Sequence, residues 1–284
     1  MTQKIIALVD GSIYSRSVCD HAAWIAGRIG ASIELMHVLG RREGPGTTDL
    51  SGSIQLGART ALLEELAALD EQRSKLVLQK GRAILEDAQA ILENAGISEV
   101  TVRLRHGDLI TTVAEQEKDA SMIVIGKRGE AADFARGHLG SNLERIIRAS
   151  HKPVFVASRA FKPIARLLVA YDGGISAMRA VDHIARNSLY AGLQVHVVTA
   201  GSETGEIRKG LEDARSILRS RGIDADVAVL SGQPDKALSK LVEDGGFDLL
   251  VMGAYGHSRI RSLIIGSTTT EMIRSCRIPL VLMR

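Results

Sequence analysis

Two segments of the chain carry glycines at a spacing suited to holding an anion. Residues 250–267 read LVMGAYGHSRIRSLIIGS: Gly253-x-x-Gly256 follows an apolar run, nine residues intervene, and Gly266-Ser267 stands directly before a helical pattern. Residues 122–141 read MIVIGKRGEAADFARGHLGS, the same series with ten residues between Gly129 and Gly140. Glycine lets main-chain N–H groups approach an anion closely, and a helix beginning at Ser267 would turn the positive end of its dipole toward that anion. Phosphate suits such a place. A lone glycine would only turn the chain, with Ser267 or Thr268 as an N-cap and Thr268-x-x-Glu271 as a capping box. The ordered series after a strand, present twice, favours the phosphate reading.

The flanking charges differ between the two segments. His257, Arg259 and Arg261 lie in the second loop, where they serve either as solvated cations or as phosphate partners. The first loop instead carries Glu130 and Asp133, which repel phosphate if they face it.

The elements that must position these loops repeat as well. KIIALVDGS at Lys4–Ser12 and RLLVAYDGG at Arg166–Gly174 are short apolar runs ending in Asp-Gly, at Asp10 and Asp172, 162 residues apart. Helical patterns follow at Ser15–Arg28 and Ser176–Tyr190, then strands at Ser32–Leu39 and Leu193–Ala200. Beyond this point the offset falls to 127 and 126, so the first half holds an insertion of about 35 residues. Next come a strand (Val100–Arg105; Asp226–Leu230), a helix (Asp108–Glu117; Pro234–Glu243) and a strand (Met122–Ile125; Leu249–Met252). A helix and strand close each half, at Asn142–Ala149 with Val154–Ala157 and at Thr268–Cys276 with Leu280–Met283. Strands apolar on both faces and alternating with helices predict two tandem, doubly wound α/β domains, each a five-stranded parallel sheet flanked by helices. The expected boundaries are 1–158, with a helical insertion near 40–95, and 164–284. In such sheets ligands sit beyond the carboxyl ends of the strands, where Asp10, Asp172 and both glycine series fall.

These residues together resemble the universal stress protein family in its tandem form. The family's ATP-binding signature is G-x-x-G, nine residues, then G-[ST], with an aspartate closing the first strand, and the second half matches it at Asp172, Gly253, Gly256, Gly266 and Ser267. The resemblance implies an adenine nucleotide, ATP with or without magnesium, between the first and fourth strand ends. It assigns Asp172 to the adenine or ribose, the backbone of Ala200 to the base, Met252 to Gly256 to the ribose and phosphates, and Gly266, Ser267 and Thr268 to the phosphates. The corresponding first-half positions are Asp10, Val38, Gly126, Gly129, Gly140 and Ser141, where the extra loop residue departs from the signature. The C-terminal site is therefore expected to dominate. Family members pair their last strands, so the two halves are expected to pair within one chain as a pseudo-dimer, with homodimers and an unidentified protein partner as further associations.

The bulk properties narrow the alternatives. The chain has 284 residues, 45% apolar and 24% charged, enough for two domains each with its own core. A net charge of +3, 3% aromatic residues and scattered cations argue against nucleic acid as a partner. The opening MTQKIIALVDGS has no long apolar region or cleavage site, and no segment has the roughly 18 apolar residues needed to span a bilayer, so a cytoplasmic protein without a membrane partner is expected. Cys19 and Cys276 are too few and too far apart for a disulfide framework or zinc site. In the insertion, Gly40 to about Arg59 reads as a loop and Thr60–Asn94 as an amphipathic helix broken near Gly81. Leu62, Leu69, Leu76 and Ala83 recur every seven residues, but Arg73, Lys80 and Asp87 at the partner positions weaken a strict coiled coil, and the helix is expected to cover its own sheet.

Three functions remain at this stage. A nucleotide-binding stress or regulatory protein fits best. An ATP-using enzyme of the adenine-nucleotide α-hydrolase-like group is weakened by the absence of an SGGxDS loop and of a Walker lysine, so hydrolysis is expected to be slow at most. The third is an interaction scaffold independent of nucleotide.

Overall fold

The computed structural model describes residues 3–40, 56–129, 141–254 and 267–284. The first half contributes β1 (Gln3–Leu8), β2 (Ala31–Leu39), β3 (Val100–His106), β4 (Met122–Gly126) and β5 (Val154–Ala157). The second contributes β6 (Arg166–Ala170), β7 (Gln194–Ala200), β8 (Ala225–Leu230), β9 (Leu249–Gly253) and β10 (Leu280–Met283). All ten join in one sheet of order β3-β2-β1-β4-β5-β10-β9-β6-β7-β8. Within each half the strands are parallel. The single antiparallel step is the seam, where Leu280, Val281 and Leu282 of β10 face Val156, Phe155 and Val154 of β5. The apolar edges thus cover each other inside one chain, which removes two open strand edges.

The helices are α1 (Ser15–Ile29), α2 (Leu56–Asn94), α3 (Leu109–Gln116), α4 (Ser141–Ala149), α5 (Ile175–Arg186), α6 (Gly205–Arg219), α7 (Pro234–Gly245) and α8 (Ser267–Ser275). Successive strand residues point to opposite faces, so Ile5 and Ala7 enter one apolar cluster while Ile6 and Leu8 enter another. The first cluster takes its helical side chains from α1, α2, α5 and α6, the second from α3, α4, α7 and α8. Each cluster runs through both halves. Local signals fix the helix ends: Asp108 accepts from the N–H groups of Ile110 and Thr111 before α3, Thr204 accepts from Ile207 N–H before α6, and Pro234 opens α7.

Four expectations change. The helix expected to run to Tyr190 stops at Arg186: Asn187 is extended, its side chain accepts from Leu189 N–H, and a 3-10 turn follows at Ser188–Tyr190. Helix α6 is absent from the expected element list, yet Leu211, Ala214 and Leu218 repeat the buried stripe of Leu85, Ala88 and Leu92 at an offset of 126. The insertion therefore lengthens a helix that both halves possess. That helix is unbroken at Gly81, whose missing side chain admits close packing: a Cβ there would lie 2.9 Å from Leu104 Cδ1 and 3.2 Å from His37 Cδ2. Finally, among the described residues the fully buried side chains of α2 all lie after Gly81, at Leu85, Ala88 and Leu92, and Leu62, Leu63, Leu69 and Leu76 before it are exposed, so the helix covers its sheet over part of its length. Among the described residues no helix is long and apolar enough to cross a membrane.

Candidate functional site

In each half the strand order places a crevice at the carboxyl ends of two neighbouring strands, β1 and β4 or β6 and β9, because the chain leaves them in opposite directions along the sheet. In the second half this edge gathers Asp172 just past β6, Ala200 at the end of β7, Met252 and Gly253 at the end of β9, and Ser267 at the start of α8. Asp172 bends back so that one carboxylate oxygen accepts from Gly174 N–H at 2.8 Å. Gly173 between them takes φ 76°, which a side chain would strain. The Tyr171 carbonyl accepts the Thr199 hydroxyl at 2.7 Å, and Tyr171 N–H donates to Val198 O at 2.8 Å, which ties the β6 end to β7.

Gly253 has a packing duty of its own. A Cβ there would lie 2.9 Å from Ser176 Cβ and 3.1 Å from the Ala177 nitrogen, so this glycine lets the strand end approach the start of α5. Its carbonyl accepts the Thr269 hydroxyl at 3.2 Å, fixing the first turn of α8 to the strand end. Helix α8 begins at Ser267, and Thr268 is its second residue, which excludes Thr268 as a cap. Ser267 is exposed and Thr268 partly so. Gly256, His257, Arg259, Arg261 and Gly266 lie outside the described residues, and the N-cap position of α8 with them.

The first half is built on the same register with different side chains. Gly11 matches Gly173 with φ 77°. Asp10 accepts from Ser12 N–H at 3.0 Å and lies 3.4 Å from the Ser15 hydroxyl, whose oxygen in turn accepts Gly11 N–H at 3.0 Å. Ala177 stands where Ser15 stands. A Cβ on Gly126 would lie 2.7 Å from Tyr14 Cβ, and one on Gly129 would lie 2.9 Å from an Asp10 carboxylate oxygen. The loop after β4 therefore comes down on Asp10. Val38 lies near the end of β2 opposite Arg105, and His37 holds the Val9 carbonyl through Nδ1 at 2.7 Å, the task Thr199 performs in the second half. Glu130, Asp133 and Gly140 lie outside the described residues; Ser141 opens α4, its side chain likewise outside them.

The model of the universal stress protein family matches residues 1–158 and 200–284. The chain belongs to the universal stress protein family. A universal stress protein of Synechocystis sp. is 38% identical over 286 residues, covering 99% of this chain and all of the relative. One from Mycobacterium tuberculosis is 26% identical over 216 residues, 66% of each chain. The crystal structure of a universal stress protein from Archaeoglobus fulgidus superposes with a TM-score of 0.74 at 23% identity, covering 99% of this chain and 98% of that one, and shares its fold. The family match leaves out 159–199, which includes Asp172, but the strand register of this universal stress protein bridges the gap. Lys4 faces Ser32 as Arg166 faces Gln194, and Ile5 faces Met122 as Leu167 faces Leu249.

Two residues beside the site escaped the sequence reading. Ile13 and Ile175, each three residues past its aspartate, are 51% and 60% exposed. An apolar side chain at the same place in two polar turns, Asp-Gly-x-Ile in both, was the available signal. The cysteines add no reactivity: both are buried, and burial followed by the neighbouring Asp20 charge pushes the Cys19 thiol up to about 12.

Proposed function

We propose that this universal stress protein binds an adenine nucleotide, ATP with or without magnesium, chiefly at the β6/β9 edge of its second half, and signals occupancy to a protein partner. The halves act as domains 1–158 and 164–284. Asp172 would engage the nucleoside, Ala200 the base through its backbone, Met252, Gly253 and Gly256 the ribose and phosphates, and Gly266, Ser267 and Thr268 the phosphates. The observation that carries the reading is the convergence at one sheet edge of the Asp172 carboxylate, the Gly253 strand end and the first turn of α8, which the Thr269 hydroxyl ties to Gly253. An exposed Ser267 at a helix start fits a phosphate, since unpaired N–H groups and the helix dipole favour an anion there. Ile175 offers an apolar surface next to Asp172 for the uncharged part of the nucleotide.

In the first half, the approach of Gly129 to Asp10 and the Ser15 hydroxyl beside the same carboxylate support a weaker site at Asp10, Val38, Gly126, Gly129, Gly140 and Ser141. Among the described residues of the second-half edge, no side chain apart from Asp172 is placed as a general base for water, so the reading is of binding and signalling, with turnover far below the roughly 10 per second of ordinary enzymes. Mass spectrometry of freshly purified protein tests the proposal: about one adenine nucleotide per chain is expected, retained in Gly140→Val and lost in Asp172→Ala. Protein that carries none and shows no calorimetric binding of ATP overturns it.

A further inference from the structure

Helix α2 changes character along its length. From Gly81 onward it packs on the sheet through Leu85, Ala88 and Leu92, all buried. Before Gly81 a row of three leucines faces water: Leu62 is 38%, Leu69 55% and Leu76 65% exposed. These three recur every seven residues. At roughly 100° per residue they stand about 140°, 160° and 180° around the helix from Leu85, on the side away from the sheet. The chain cannot cover both stripes with one sheet, and a row of exposed leucines calls for an occupant.

The charges along the same stretch identify one. From Leu62 to Glu71 the helix carries Glu64, Glu65, Asp70 and Glu71 and no cation; from Arg73 to Ala83 it carries Arg73, Lys75, Lys80 and Arg82 and no carboxylate. A helix acidic in one part and basic in the next is complementary to itself when antiparallel and repulsive to itself when parallel. A two-fold axis at Leu69 sets Leu69 against its own copy and Leu62 against the partner's Leu76. The same axis sets Glu65 at the height of the partner's Arg73, both about 40° from the leucine row and so beside the contact. The ion pair from Lys75 to Glu71 within the chain, 2.7 Å long, lies on the far side of the helix from the leucine row and does not compete with the contact.

We propose that the universal stress protein forms a two-fold homodimer through antiparallel pairing of the 62–76 segments of α2, a contact about 21 Å long. The surface is independent of the nucleotide edge and of the β5–β10 seam.

Sedimentation velocity of the full chain over a concentration series, with circular dichroism as the control for folding, tests the dimer. The wild type is expected to dimerise, and Leu69→Glu to weaken the dimer by more than about tenfold, since it places two carboxylates on the axis. Oxidative cross-linking reads the geometry, because the native cysteines are buried. Leu69→Cys should link to itself, and Leu62→Cys should link to Leu76→Cys when the two variants are mixed. A wild type monomeric at every concentration, a dimer unchanged by Leu69→Glu, or self-linking of Leu62→Cys alone overturns the proposal.

Discussion

The two halves share a fold, a register, a buried stripe and the Asp-Gly turns and glycines of the strand ends, yet the side chains that flank those shared residues differ. Ser15 corresponds to Ala177, Tyr14 to Ser176, His37 to Thr199, and the 39 residues of α2 to the 15 of α6. Core positions tolerate little change because close packing penalises each added or missing methylene, while strand-end and turn positions are free to vary once the backbone is fixed. The comparison teaches that the sheet and the Asp and Gly residues of its edges are the shared scaffold and that the side chains around them are the variable part.

The largest expected effect tests where the halves still agree. His21 and His183 occupy matched positions on α1 and α5, and burial pushes both imidazoles down to about 4, opposed by the Ser17 carbonyl at His21 and by Asp182 at His183. His21 lies against Phe155 and Phe161, and His183 against Tyr190. A histidine whose folded pKa lies below its unfolded value of about 6.5 leaves stability intact above that pH, and stability falls as pH drops from 6.5 toward 4, where only the unfolded chain takes up the proton. The loss for the two together is on the order of a few kcal/mol. Urea unfolding at pH 7 and pH 4.5 should show this fall in the wild type and a shallower one in the double variant His21→Gln, His183→Gln. Equal slopes would remove the symmetric role of the pair.

The next effect sharpens the difference. Gly266→Val should weaken ATP binding about a hundredfold, near 2.7 kcal/mol, and Gly140→Val less than about threefold, measured by titration with a fluorescent ATP analogue. Gly253→Val is the wrong probe, because its side chain would strike Ser176 whether or not nucleotide binds. Equal losses at positions 140 and 266 would break the asymmetry.

The smallest effect lies on the opposite face. Glu117 is buried and accepts the Ser150 hydroxyl at 2.5 Å and the His151 N–H at 3.2 Å. Its counterpart Glu243 is exposed at the rim of a cleft of about 420 Å³ lined by Ser239, Cys276 and Ile278. Removing Glu117 strands buried donors and should cost about 2 kcal/mol, whereas Glu243→Ala should stay within about 0.5 kcal/mol by chemical unfolding.

Much of the fold was legible because its signals are local: apolar runs bounded by Asp-Gly, and spacing that repeats at 162 and then 126 residues. The edge that gathers Asp172, Ala200 and Gly253 followed from the strand order. What escaped were properties of contact. The sequence reading broke α2 at Gly81 because glycine lowers helix propensity, but here it admits Leu104 and His37 to the helix axis, a demand made by β2 and β3. It passed over α6 because GEIRKGLEDARSILR is mostly polar and shows its apolar stripe only when aligned with α2. Ser15 and Ile175 gained meaning from their distance to the aspartates and from exposure, neither of which spacing along the chain reveals.

The β5–β10 seam has one more consequence. Its three facing residue pairs join two apolar clusters that run through both halves, together with hydrogen bonds from Lys127 to the Cys276 carbonyl, from Arg284 to the Arg148 carbonyl and from Arg28 to the Leu189 and Ala191 carbonyls. Two separate molecules joined in this way would associate to a degree set by their concentration. The tether at 158–165 instead holds the halves at an effective concentration on the order of millimolar, so their union is a first-order event, indifferent to how much protein a cell contains. Fusion also ends enforced symmetry: in a dimer of identical chains every substitution strikes both edges at once, whereas here each edge can drift alone while the other keeps its task.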